Sequence, residues 1–240
     1  MSGPDADPIT PPVPQPASEV VIGVRAMEHL ISRLCHDLVG PIGAINNGVE
    51  LVEEAGLGVE GDAFDLIADS AAIAARRLKL FRLAFGAAGV QQSVTAADTR
   101  ALLDGWFRGS RIAFNWGVEA GAVGEPTMLK LLLIACLLAE EGMPQGGALH
   151  LSGTGELVRI EGAGPQAALR AEVRLALEGR AELADLTPRS ILAHAAERLA
   201  AAHGKSLTAD AGDAGRIHLR LEARMTGGGT AVSGRDICSE

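Results

Sequence analysis

The residues best equipped for chemistry lie in one short run, Leu34-Cys35-His36-Asp37-Leu38-Val39-Gly40-Pro41-Ile42. An imidazole is a nucleophile and proton carrier near neutral pH, so where its ring points decides what it does. The apolar stripe around it is Ile31, Cys35, Leu38, Ile42, Ile45, Val49 and Val52, which alternates steps of four and three. At about 100° per residue His36 falls on the shoulder of that stripe, with its ring able to reach solvent. Pro41 removes the N–H that would bond the carbonyl of Asp37, and a Gly-Pro pair inside a helix costs roughly 3 kcal/mol or more. A kink or bulge beside His36 is therefore expected. Taken alone, the run also fits an ordinary exposed histidine beside a local bend.

The elements that must position it read as follows. Residues 1–18 carry six prolines among small and acidic residues, the composition of a disordered tail. Helix formers run from Glu19 to Glu54, and the stripe above is a heptad seam. Three glycines between Glu53 and Gly61 break the helix. A second seam, Phe64, Ile67, Ala71, Ala74, Leu78, Phe81 and Phe85, follows. Two seams joined by a short loop make an antiparallel hairpin over residues 19–88. One hairpin cannot cover both seams, so a dimeric four-helix bundle is expected.

After a joint at Gly86 to Gly89 the pattern changes. Arg111 to Trp116 alternates like a strand, and Pro126 to Glu141 reads as a buried helix. Ala148 to Ser152 and Leu157 to Ile160 read as strands joined through Gly153-Thr154-Gly155. Thr187-Pro188 predicts a capped helix start, and that helix ends at His203-Gly204. Lys205 to Asp210 and Ile217 to Ala223 complete an α+β layer over residues 89–225, with helices on one face of a sheet. Trp106 and Trp116 read as core. Residues 226–240, with Gly227-Gly228-Gly229, read as a flexible tail.

Composition excludes several functions. A net charge of −9 disfavours nucleic acid. The three cysteines, Cys35, Cys136 and Cys238, are scattered, and neither they nor the histidines show metal-site spacing, which fits a reduced cytoplasmic chain. No apolar run is long enough to span a bilayer, and the start lacks the pattern of a signal peptide.

The segment Ile31 to Val52 resembles the dimerisation and phosphotransfer helix of two-component histidine kinases. His36, Asp37 and Pro41 match the acceptor histidine, its acidic neighbour and the following proline; Gly40 departs from the Thr or Asn common there. The resemblance continues with losses. Lys130 to Leu151 aligns with the nucleotide-binding helix and next strand of kinase ATPase domains, but Ile134 and Leu138 stand where kinases place asparagines. An apolar side chain cannot hold magnesium, which takes oxygen ligands. The adenine loop is reduced to Glu161-Gly162-Ala163-Gly164-Pro165, and Pro188, Ser190 and Leu192 replace phosphate-loop glycines.

In order along the chain, these marks together with Phe114-Asn115-Trp116, Met143-Pro144-Gln145-Gly146-Gly147 and Thr187-Pro188-Arg189 resemble the ChpT-type histidine phosphotransferases of alphaproteobacteria. The resemblance implies a helical hairpin dimer followed by a degenerate Bergerat-type α/β sandwich without ATP. It implies His36 as phosphoacceptor, Asp37 orienting its ring, and Gly40 and Pro41 shaping the site. Receiver domains of a hybrid kinase and of response regulators would dock on Arg33, Leu38, Val39, Ile42, Ala44 and Ile45, bringing their own magnesium, with no cofactor in this chain. An active histidine kinase and a non-catalytic receiver-binding dimer are the alternatives.

Overall fold

A computed structural model describes residues 22–55, 60–86, 94–119, 121–155, 157–210 and 214–223. Both expected tails, the centre of the first loop and Ala87 to Gly89 of the joint lie outside the described residues.

Helices α1 (Val24–Ala55) and α2 (Glu60–Phe85) form the expected hairpin. They approach closely at Gly48, where an added Cβ would stand 2.6 Å from the Ile67 side chain. The outward seam residues Ile31, Ile42, Val49, Phe64 and Leu78 are exposed, as is Cys35, which the seam pattern reads as a packed apolar position. Helix α1 runs through Gly40-Pro41 as one continuous α-helix, without the expected bulge.

Next comes a helix the sequence reading misses, α3 (Ala96–Phe107). Its start is a capping box: Thr95 Oγ1 accepts from the Asp98 amide at 3.1 Å, and Asp98 Oδ2 accepts from the Thr95 amide at 3.1 Å. Strand β1 (Ile112–Val118), helix α4 (Pro126–Glu141), β2 (Gly147–Thr154) and β3 (Leu157–Ala163) follow. A second unread helix, α5 (Ala171–Leu177), precedes α6 (Ile191–Ala202), β4 (Lys205–Ala209) and β5 (Arg216–Ala223).

The sheet order is β1-β2-β3-β5-β4, with β1 parallel to β2 and the other pairs antiparallel. The parallel pair needs a crossover, which α4 supplies. Leu149, Leu151, Val158, Ile160, Leu219 and Leu221 alternate inward, while His150 and Arg159 face outward. Helix α4 is buried on nearly all sides: every residue from Leu131 to Ala139 is within the core. Gly146, at φ +83°, makes the turn from α4 into β2.

The start of α6 differs from expectation by three residues. Thr187 Oγ1 does accept from the amides of Arg189 and Ser190, but those bonds close a turn, and regular helix begins at Ile191. The α6 end agrees with the sequence: His203 is the C-cap, and Gly204 adopts φ +62°.

The hairpin and the α/β layer touch directly. Helix α2 packs on α4 and α3, and α1 reaches α6. Lys130 of α4 also donates to the Gly86 carbonyl at 2.9 Å, tying the buried helix to the end of the hairpin.

Candidate functional site

His36 stands clear of the bundle, its side chain 85% exposed. Its Nδ1 lies 3.2 Å from Asp37 Oδ1. A carboxylate only accepts, so in the neutral ring this contact favours the tautomer with its proton on Nδ1 and the Nε2 lone pair facing solvent.

Two arginines hold Asp37. Its Oδ2 accepts from Arg33 Nε at 3.0 Å, an i,i+4 pair on one face of α1. Arg33 Nη1 in turn lies 2.5 Å from Glu141 Oε1, at the last residue of α4. The main-chain carbonyl of Asp37 accepts from Arg77 Nη1 of α2. That carbonyl is the one Pro41 leaves without a helical donor. The buried Pro41 ring and the Arg77 guanidinium thus account for the unbroken helix: the missing bond is replaced from the neighbouring helix.

A second carboxylate, Glu140, meets the same cluster. Its Oε2 accepts from Trp106 Nε1 of α3 at 2.8 Å, and the Arg77 guanidinium lies 6.0 Å over the Trp106 ring. Trp106 is therefore half-buried at the domain junction rather than wholly core. Burial pushes both Glu140 and Glu141 above the usual carboxylate range, opposed at Glu140 chiefly by the Trp106 N–H and at Glu141 by Arg33. Burial acts to lower the Arg33 value, but Glu141 and Asp37 outweigh it and hold the guanidinium firmly protonated.

Around this centre, Val39 and Ile42 are exposed within two turns of His36, whereas Leu38, Ala44 and Ile45 are half-buried. Arg33 is drawn inward by its two carboxylates, with 19% of its side chain exposed. An open cavity of about 590 Å³ lies on the α2 side, lined by three arginines, Arg76, Arg77 and Arg108, two acids, Asp69 and Glu140, and by Ile73 and Trp106 among others. Ile134 and Leu138 are fully enclosed in α4. Among the described residues no three His, Cys, Asp or Glu side chains converge as a metal site would need.

Residues 96–215 match the histidine phosphotransferase C-terminal domain. The chain belongs to the histidine phosphotransferase family. This family member is 41% identical over 135 residues to the protein phosphotransferase ChpT of Brucella abortus (strain 2308), a match spanning 55% of this chain and 59% of the relative. A solved bacterial phosphotransferase is 30% identical, with a TM-score of 0.70; the alignment covers 84% of this chain and 98% of that one.

The sequence marked His36, Asp37, Gly40, Pro41 and Arg33, and the fold brings His36, Asp37 and Arg33 into one contiguous contact chain. The sequence did not mark Arg77, Trp106, Glu140 or Glu141 for this site. One signal for Arg77 was legible: a proline inside a helix leaves a carbonyl that must find a donor. The identity of that donor was not.

Proposed function

We propose that this protein relays a phosphoryl group between receiver-domain aspartates through His36, without using ATP. The observation that carries this reading is the exposed imidazole whose Nδ1 is engaged by Asp37, with Nε2 open to an incoming phosphoryl group. The resemblance to ChpT of Brucella abortus, a protein phosphotransferase by name, supports the same reading.

Attack by Nε2 needs alignment more than covalent help from the protein, because phosphoryl transfer is governed by positioning and charge. The ring gains positive charge as the N–P bond forms, and Asp37 Oδ1 faces that charge. Magnesium in the receiver's own acidic pocket would supply the charge neutralisation on the phosphoryl oxygens. Val39 and Ile42 offer apolar contacts beside His36, and Leu38, Ala44 and Ile45 lie behind them. The arginine-lined cavity by Trp106 suits the acidic rim of a receiver.

Homodimerisation through the exposed seams of α1 and α2 completes the bundle, since unpartnered Ile31, Phe64 and Leu78 would otherwise face water. The hairpin over residues 19–88 then acts as the phosphotransfer domain and residues 89–225 as an ATPase-like remnant that binds no nucleotide. No described helix is long and apolar enough to cross a membrane, which accords with a cytoplasmic relay.

The experiment incubates the chain with a phosphorylated receiver and then with a second receiver, following the phosphoryl group. Acid-labile labelling of the wild type, lost in His36→Ala, is expected. Labelling that survives in His36→Ala defeats the assignment. A complex without any phosphohistidine would favour simple receiver binding, and a nucleotide-induced thermal shift would favour a kinase.

A further inference from the structure

We infer that Glu141, on the α/β layer, is a positioning residue for His36, acting through Arg33 and Asp37. The inference rests on the phosphotransfer reading above and adds to it a task for the second domain.

The geometry is a continuous chain of contacts. Glu141 Oε1 meets Arg33 Nη1 at 2.5 Å, Arg33 Nε meets Asp37 Oδ2 at 3.0 Å, and Asp37 Oδ1 meets His36 Nδ1 at 3.2 Å. The last contact is the weakest. Successive helical residues diverge by about 100°, so His36 and Asp37 do not naturally face each other. At 3.2 Å their contact is at the long end of the hydrogen-bond range and needs Asp37 fixed from elsewhere.

Arg33 fixes it, and Glu141 fixes Arg33. An i,i+4 ion pair on a helix surface is weak by itself and exchanges with water. Here the planar fork meets carboxylates of two different elements, α1 and α4: Nε donates a hydrogen bond to Asp37, and Nη1 forms a close ion pair with Glu141. A guanidinium held at both ends cannot rotate about its stem without breaking one contact. Its side chain is mostly buried, so water competes poorly for either contact.

The consequence for the reaction is the choice of tautomer. With Nδ1–H donated to Asp37, the Nε2 lone pair attacks phosphorus while the bond from phosphorus to the receiver's aspartate oxygen breaks. The bonding pair leaves on the aspartate carboxylate. The ring keeps its Nδ1 proton and carries one positive charge facing Asp37 Oδ1, so no proton moves. Handing the group to a second aspartate reverses the same bonds. In the other tautomer Nε2 carries the proton, and attack from that atom is blocked.

The test uses the full chain as wild type, Glu141→Ala, Glu141→Gln, Arg33→Met and the Glu141→Ala/Arg33→Met double variant. Single-turnover transfer from a phosphorylated receiver is measured across receiver concentrations. Long-range ¹H–¹⁵N spectra of the His36 ring report its tautomer. Glu141→Ala is expected to lower the saturating rate about tenfold, because misplacing a reacting group is costly, while leaving half-saturation unchanged. It should also raise the Nε2–H population. Glu141→Gln keeps an acceptor for Arg33 and should recover part of both. In the Arg33→Met background Glu141→Ala should add nothing.

An unchanged rate and tautomer in folded Glu141→Ala would overturn the inference, as would independent, multiplying effects of the two substitutions. If the wild type accepts no phosphoryl group, the phosphotransfer reading fails. The tautomer comparison would still decide whether Glu141 positions the ring.

Discussion

Arg77 of α2 donates to the main-chain carbonyl of Asp37, the carbonyl for which Pro41 provides no amide. A helix proline that would otherwise leave an orphan acceptor beside the exposed histidine is thus tolerated because the second helix supplies the donor. The same guanidinium lies over Trp106, whose indole N–H is donated to Glu140, so hairpin and α/β layer meet at one cationic group.

This relationship makes Pro41 and Arg77 thermodynamically coupled. Arg77→Ala is expected to destabilise the chain by about 1 kcal/mol, the low end of the cost of an unsatisfied acceptor because this carbonyl is half-buried, read from urea denaturation. Pro41→Ala restores the α-helical amide, so it should stabilise the Arg77→Ala background more than it stabilises the wild type. Additive effects in that double-mutant cycle would show that the two residues do not share the carbonyl.

Glu140 sets a pH dependence with a definite sign. Burial holds its carboxyl above the ordinary 4.5, so the folded chain binds this proton more tightly than the unfolded chain does. The stability it contributes is full below that ordinary value and is lost as pH rises through the raised folded value. Gln does not titrate and keeps an oxygen for Trp106. The stability of Glu140→Gln relative to wild type should therefore grow as pH is raised from acid towards neutrality. A difference that stays flat over that range rules out a raised Glu140.

The two described cysteines should behave oppositely. Cys136 is fully enclosed in α4, where burial pushes its thiol far above the usual range, while Cys35 is exposed beside His36. In a Cys238→Ser background, a thiol-alkylating reagent should modify Cys35 in the native chain and reach Cys136 only after denaturation. Native labelling of Cys136 would mean that α4 is not the packed centre of the second domain. If Cys35 is protected at high protein concentration and labelled on dilution, the seam is covered by a second copy.

The seams themselves offer a direct measurement. Leu78 is 54% exposed in one chain although it occupies a heptad position. Light scattering should give twice the 24.7 kDa chain mass for the wild type and the single-chain mass for Leu78→Glu, because a charge at a packed seam cannot be desolvated without a partner. A wild type that is monomeric at all concentrations would remove the four-helix bundle from the proposal.

Much of the architecture was legible because its signals are local. The alternating three-and-four steps gave α1 and α2, Pro126 opened α4, Gly155 marked the turn between β2 and β3, and His203-Gly204 closed α6. Helix α3 had an equally local sign in Thr95 and Asp98, which only became meaningful once their reciprocal bonds were seen. Helix α5 spans seven residues, its Arg170 N-cap supplies no side-chain bond, and only packing on α6 and β4 defines it. The Thr187-Pro188 start was displaced because the Thr187 hydroxyl closes a turn before the helix rather than its first regular residues.

The sequence by itself singled out His36 as the candidate for chemistry and determined that the Asp37 carbonyl would lack a helical donor. Both follow from residue type and from spacings within one helix. Only the tertiary structure decided who supplies that donor and who holds the Asp37 carboxylate. Arg77, Glu140 and Glu141 lie far from Asp37 in the chain and carry no periodic signature. They meet there because helix packing carries the hairpin onto the end of α4, where buried charges must find partners.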